Sequence, residues 1–125
     1  LRDIEKQVSS ALRERKIECE SFQSNSEGEL IDWLQKQRDA DFLLLNPGAL
    51  THTSIVLRDA VLGIEIPFLE IHLSNVHQRE EFRHCSYFSD IAVGALVGLG
   101  VKGYLLASHF AADYLEQKGT SAANN

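Results

Sequence analysis

Cysteine, proline and glycine are scarce in this chain of 125 residues, which holds two, two and eight of them. So few prolines and glycines exclude a collagen-like or linker-like chain. Cys19 and Cys85 allow one disulfide at most and lack the C-x-x-C spacing of a redox motif, so a reduced, cytoplasmic setting is expected. No apolar run approaches the about 18 residues that a membrane helix needs, and no membrane partner is expected. No basic stretch followed by an apolar one opens the chain, which argues against a secretory signal there. The first residue is Leu1 rather than Met. Basic charge is in deficit: 12 Lys and Arg against 18 Asp and Glu give a net charge of −6. With no excess cation to neutralise phosphates, a nucleic-acid partner is not expected. Apolar residues at 44% and charged residues at 24% are ordinary for a globular domain, and the length allows one domain.

Hydrophobic spacing gives the elements. Leu1, Ile4, Val8, Ala11 and Leu12 recur at helical steps and predict an amphipathic helix over 1–15. The alternation in Ile17–Phe22 reads as a half-exposed strand. Ser26 and Glu29 have capping-box spacing ahead of a helix through Leu30, Ile31 and Leu34. Trp33 on it reads as packing rather than a binding platform. Phe42–Leu45 is a continuous apolar run too short for a helix, hence a strand buried on both faces. A helix from Ser54 to about Gly63, a strand over 68–73, a short helix within 78–84, a strand over 92–96 and a helix over 102–117 complete the chain. Strands alternating with helices imply a parallel sheet between two helical layers.

Polar residues gather after the strands, where open parallel sheets bind ligands. Glu70 and His72 alternate onto one strand face. A carboxylate beside a histidine fixes its tautomer, and histidine titrates near physiological pH, so the pair suits a proton donor as well as a structural contact at a strand end. His52 and His72 also raise a metal reading, but no third ligand stands at a zinc-like spacing and no H-E-x-x-H occurs. Neither Ser54 nor Ser74 sits in a G-x-S-x-G elbow, and no G-x-G-x-x-G opens a helix. Gly94, Gly98, Gly100 and Gly103 read as turn and close-packing positions. Arg83 suits two-pronged binding of a carboxylate or diol, and equally a surface ion pair. Arg58 and Asp59 fit a helix-face pair, a subunit contact or ligand groups.

Three stretches carry a likeness: F-Q-S-N-S-E-G-E-L-I-D over 22–32, N-P-G-A-L-T-H-T-S over 46–54, and E-I-H-L-S-N-V-H-Q-R-E-E-F-R-H over 70–84. Together they resemble the type II 3-dehydroquinate dehydratases, colinearly from Leu1 to about Phe110. The resemblance implies a flavodoxin-like fold, trimers that assemble into dodecamers, and neither metal nor organic cofactor. It implies a hydro-lyase that converts 3-dehydroquinate to 3-dehydroshikimate, in the shikimate pathway to aromatic amino acids or in quinate breakdown. In that family a tyrosine anion activated by an arginine removes a proton, an enolate forms, and a histidine protonates the departing hydroxyl. By motif, His72 corresponds to that acid, oriented by Glu70. Asn46 and His52 correspond to contacts with substrate oxygens, and Leu73 and Ser74 to donors for the substrate carboxylate. Arg83 corresponds to an arginine on a substrate hydroxyl, and Asp59 to an aspartate reaching in from a neighbouring subunit.

The front of the chain departs from that pattern. Members of the family open with a strand, an N-G-P-N-like loop and an R-E-P-like segment bearing the arginine and the basic tyrosine. None of this precedes Leu1, and Tyr87, Tyr104 and Tyr114 do not stand at the base's motif position. The strand in question is central, between those expected at 17–22 and 42–45. The expected architecture is therefore α/β, a flavodoxin-like three-layer sandwich with a parallel sheet whose first central strand is absent. It forms one N-terminally incomplete domain over 1–125, with a frayed tail at 119–125. A functional chain longer than this sequence is expected. The rival reading is a non-catalytic substrate-binding or structural relative without the base; an unrelated flavin or signalling domain is the third.

Overall fold

The computed structural model describes the backbone of residues 2–124 and the side chains of residues 3–118. Helix α1 (Arg2–Glu14) carries acidic Asp3 and Glu5 in its first turn and Arg13 in its last, matching the helix dipole at both ends. It buries Val8 and Leu12 against Ala112 of the last helix. Helix α2 (Glu27–Gln35) is capped by Ser26, whose hydroxyl accepts the Glu29 N–H at 3.3 Å. The return half of a capping box is not made, because the Glu29 carboxylate accepts from the Ser24 hydroxyl instead, at 2.5 Å. Trp33 stacks on Phe22 and packs against the core, as expected of it.

Three parallel strands, β1 (Leu43–Leu45), β2 (Phe68–His72) and β3 (Gly94–Val97), form a sheet in the order β1-β2-β3. Helix α3 (Ile55–Ile64) crosses from β1 to β2, and helix α4 (Lys102–Asn124) follows β3. Between β2 and β3 the chain makes only two 3-10 turns, Val76–Gln78 and Glu81–His84. Every residue of β2 is buried, so its side chains feed both layers. Leu69 and Ile71 face Ala107 of α4, whereas Phe68 joins Leu45, Leu34 of α2, Leu57 and Val61 of α3, and Phe88. Helices α1 and α4 thus cover one face and α2 and α3 the other, the expected three-layer α/β arrangement. No helix among the described residues is long and apolar enough to cross a membrane.

One expected strand is not there. Residues 17–24 have no regular structure. Ile17 and Cys19 do pack inward with Val8, Leu12 and Leu44, while Glu18 and Glu20 point out, so the alternation is real. A strand also needs a ladder partner, and the sheet ends at β1. The last strand is shifted, running over 94–97 rather than 92–96. The frayed tail expected at 119–125 concerns side chains outside the described residues.

Gly98 closes the far end of the sheet. Its φ is +81°, and a Cβ there would lie 2.9 Å from the Asn75 Cβ and 3.2 Å from its Cα. Its N–H donates to the His72 carbonyl at 3.1 Å, and that of Gly100 to the Leu73 carbonyl at 3.0 Å. The turn after β2 is therefore fixed by the turn after β3. Gly98→Ala should lower unfolding stability by about 2 kcal/mol through left-handed strain and the clash with Asn75. An unchanged urea midpoint would contradict this.

Candidate active site

Parallel strands send their carboxyl ends to one side, and the end of β2 and the loops that leave there carry the candidate residues other than Asp59. Alternation along β2 puts Glu70 and His72 on the Phe68 face, beyond the apolar core. Glu70 is 1% exposed and His72 7%. The His72 Nε2–H donates to Glu70 Oε2 at 2.6 Å. The Ser86 hydroxyl donates to the same oxygen at 2.6 Å, and the Ser89 hydroxyl to Oε1. Burial alone would push the Glu70 carboxyl up. The hydrogen bonds from His72, Ser86 and Ser89, with the charge of His72, outweigh it and hold the carboxyl below its ordinary value. Glu70 is thus an acceptor-only anion, and its partner nitrogen on His72 must carry the proton.

The other candidates are arranged around this pair by the loops. Asn46 ends β1. Its Oδ1 accepts the Gly48 N–H at 3.1 Å, and its Nδ2–H donates to the Tyr104 hydroxyl at 2.9 Å. Gly48 adopts φ +58°, which lets this turn reverse the chain. His52 donates from Nδ1 to the Cys85 carbonyl at 2.6 Å and meets the Phe82 ring edge-on. The Asn46–Ser54 loop is thereby tied to the segment that carries Ser86. Leu73 and Ser74 are exposed in the turn that Gly98 fixes. Arg83 donates from Nε to the Glu80 carboxylate at 2.6 Å and lies 4.8 Å over the Phe82 ring. The surface ion pair weighed for it is formed, and its terminal NH2 groups have no partner among the described residues.

Asp59 does not join the group. It is exposed on α3, with no side-chain hydrogen bond among the described residues. Its neighbour Arg58 turns the other way and grips Asp90 with two prongs, at 2.6 and 3.0 Å, while donating to the Tyr87 carbonyl at 2.7 Å. Arg58 and Asp59 are therefore not a helix-face pair, since adjacent helical residues point in different directions. Cys19 and Cys85 are both free thiols. Ser86, Ser89 and Glu80 contact the candidate residues and were not singled out from the sequence. The spacing S-x-x-S ahead of a buried Phe88 marks a serine turn, but nothing in it says which acid the hydroxyls meet.

An open-sheet α/β protein with a buried carboxylate–histidine pair at a strand's carboxyl end has the layout of an enzyme. The family model described as "Dehydroquinase class II" matches residues 1–112. A 3-dehydroquinate dehydratase of Haemophilus influenzae is 53% identical over 119 residues, covering 94% of this chain and 80% of that protein. One from Acinetobacter baylyi is 54% identical over 120 residues, covering 94% and 78%. The crystal structure of a type II dehydroquinase from Butyrivibrio crossotus superposes with a TM-score of 0.83 at 38% identity, over 88% of this chain and 78% of that one. The chain belongs to the class II dehydroquinase family.

The Glu70 carboxyl is lowered on folding from an ordinary value of 4.5. Its contribution to stability is therefore full above that value and is lost as pH falls through the lower, folded value. Urea unfolding from pH 7 to pH 3 should show the parent losing more stability over the acid limb than Glu70→Gln. Parallel curves would contradict the assignment.

Proposed function

We propose that this protein is a hydro-lyase that converts 3-dehydroquinate to 3-dehydroshikimate, with His72 as the general acid. The observation that carries the reading is the 2.6 Å contact between His72 Nε2 and a Glu70 that is itself held by two serines. The family membership and relatives at 50 to 54% identity that are 3-dehydroquinate dehydratases support the same activity. Loss of water from a β-hydroxy ketone needs a proton taken from the carbon beside the ketone and a proton given to the leaving hydroxyl. His72 gives the second. With Nε2 bound to Glu70, the ring's Nδ1 is the atom left to face substrate. No described residue is assigned the proton-abstracting role.

The remaining roles follow from chemistry and position. Asn46 and His52, at the mouth of the β1 loop, suit the substrate's oxygens. The backbone at Leu73 and the hydroxyl of Ser74 suit its carboxylate. Arg83, with two free NH2 groups, suits a hydroxyl. Asp59 faces outward, which suits the family's aspartate that reaches into a neighbouring subunit, and the working unit we propose is a homo-oligomer, the trimer building a dodecamer that the family resemblance implies. The two free thiols fit a cytoplasmic setting. The reaction serves the shikimate or quinate pathway. The non-catalytic reading rests on the lack of a base among the described residues; the paired Glu70 and His72 and the dehydratase relatives favour the hydro-lyase.

In the complete protein, His72→Ala should reduce kcat for dehydroshikimate formation by 10²–10⁴-fold, roughly the range for losing a general acid. Turnover within twofold of the parent would remove His72 from that role. Sedimentation at micromolar protein should show multimers, and a purely monomeric species would contradict the assembly.

A further inference from the structure

We propose that Ser86 and Ser89 are positioning residues for the reaction, fixing Glu70 so that His72 can present only one ring nitrogen to substrate. The inference rests on His72 being the acid. It begins with what the two hydroxyls cannot do. A serine hydroxyl has one proton and two lone pairs. The Ser86 oxygen accepts the N–H of Phe88 at 3.0 Å and that of Ser89 at 3.2 Å, so both lone pairs are engaged. Its proton is left for Glu70 Oε2. Ser89 spends its own on Oε1. As an anion Glu70 therefore accepts from three groups, of which Ser86 can only donate. A protonated Glu70 could place its O–H only by turning the Ser89 hydroxyl or switching the His72 tautomer, because the Ser86 oxygen is fully engaged, so this arrangement favours the anion.

The direction of the His72 ring follows. Ser89 takes one carboxylate oxygen and Ser86 half of the other, and the capacity that remains points at His72 Nε2–H. Every buried side-chain nitrogen and oxygen among the described residues has a partner. Nδ1 of His72 makes no hydrogen bond among those residues, so it is the ring atom that reaches solvent.

The loop that carries the serines is built to stay put. The Tyr87 N–H donates to the Thr51 carbonyl at 2.9 Å. Phe88 is fully buried among Leu45, Leu57 and Phe68. Arg58 of α3 holds the Tyr87 carbonyl and both oxygens of Asp90. The titratable group in contact with Glu70 is His72. Opposite it in the ladder, β1 brings Leu45 and β3 brings Ala95, neither of which titrates. The loop's own Asp90 is occupied by Arg58.

The test uses the complete protein and two variants of the exposed Ser89, because Ser86→Ala also removes a turn acceptor and can prevent folding. Ser89→Ala should lower kcat at pH 7 by about tenfold, the effect of one lost hydrogen bond to a charged group, with KM within twofold. Ser89→Thr keeps the hydroxyl and should restore kcat. A kcat for Ser89→Ala within twofold of the parent, or one that Ser89→Thr fails to restore, would overturn the proposal. Carboxyl carbon-13 NMR of Glu70 without substrate gives a second readout. Its titration midpoint should rise by about one pH unit in Ser89→Ala, and an unmoved midpoint would overturn the proposal. If the parent shows no dehydration at all, the reading of function fails, and the Glu70 midpoint still decides whether the serines hold the anion.

Discussion

A carboxylate withdrawn from water must be surrounded by donors or it will not stay charged, and in this protein that requirement falls on Glu70. The penalty for burying such an ion is several kcal/mol. A hydrogen bond to a charged acceptor returns about 1.5–3 kcal/mol. Three such bonds, from His72, Ser86 and Ser89, together return a stabilisation of the same order as the penalty. The site accordingly needs donors from outside its own strand. Much of the connection between β2 and β3 serves that need, returning over the end of the sheet to set two hydroxyls on one carboxylate.

The rest of the architecture supports that closure. Parallel strands deliver their loops to one side, and each loop is bonded to another. His52 is tied to Cys85, Tyr87 to Thr51, and the turn after β2 to the glycines after β3. Arg58 clamps the serine loop from the helix below, and Phe88 anchors it in the core. The acid is thus held on a strand, and the groups proposed to bind substrate sit on loops braced against one another. Such a division suits a reaction in which one proton must be delivered at a fixed point.

Much of this could be read from the sequence. Helical spacing located all four helices, the continuous apolar run at 42–45 located β1, and the stretch that Pro67 opens, 68–73, located β2. The same reasoning failed at Ile17–Phe22. Its alternation is genuine, yet alternation reports which side chains turn inward and not whether a neighbouring backbone is there to pair. At the site, Glu70 and His72 were legible because period-two spacing puts them together. Ser86 and Ser89 were not, since they meet Glu70 across 16 and 19 residues of irregular chain. Arg58 was noticed for its charge, but its partner Asp90 lies 32 residues away.

The central claim is that an ionised Glu70 holds the proton on Nε2 of His72. Nitrogen-15 NMR of the imidazole rings, on uniformly labelled protein between pH 6 and pH 8, tests it directly. The account predicts a His72 Nε2 that carries its proton across this range and loses protection from solvent exchange in Glu70→Gln. A His72 ring with Nε2 unprotonated, or one indifferent to that substitution, would contradict it.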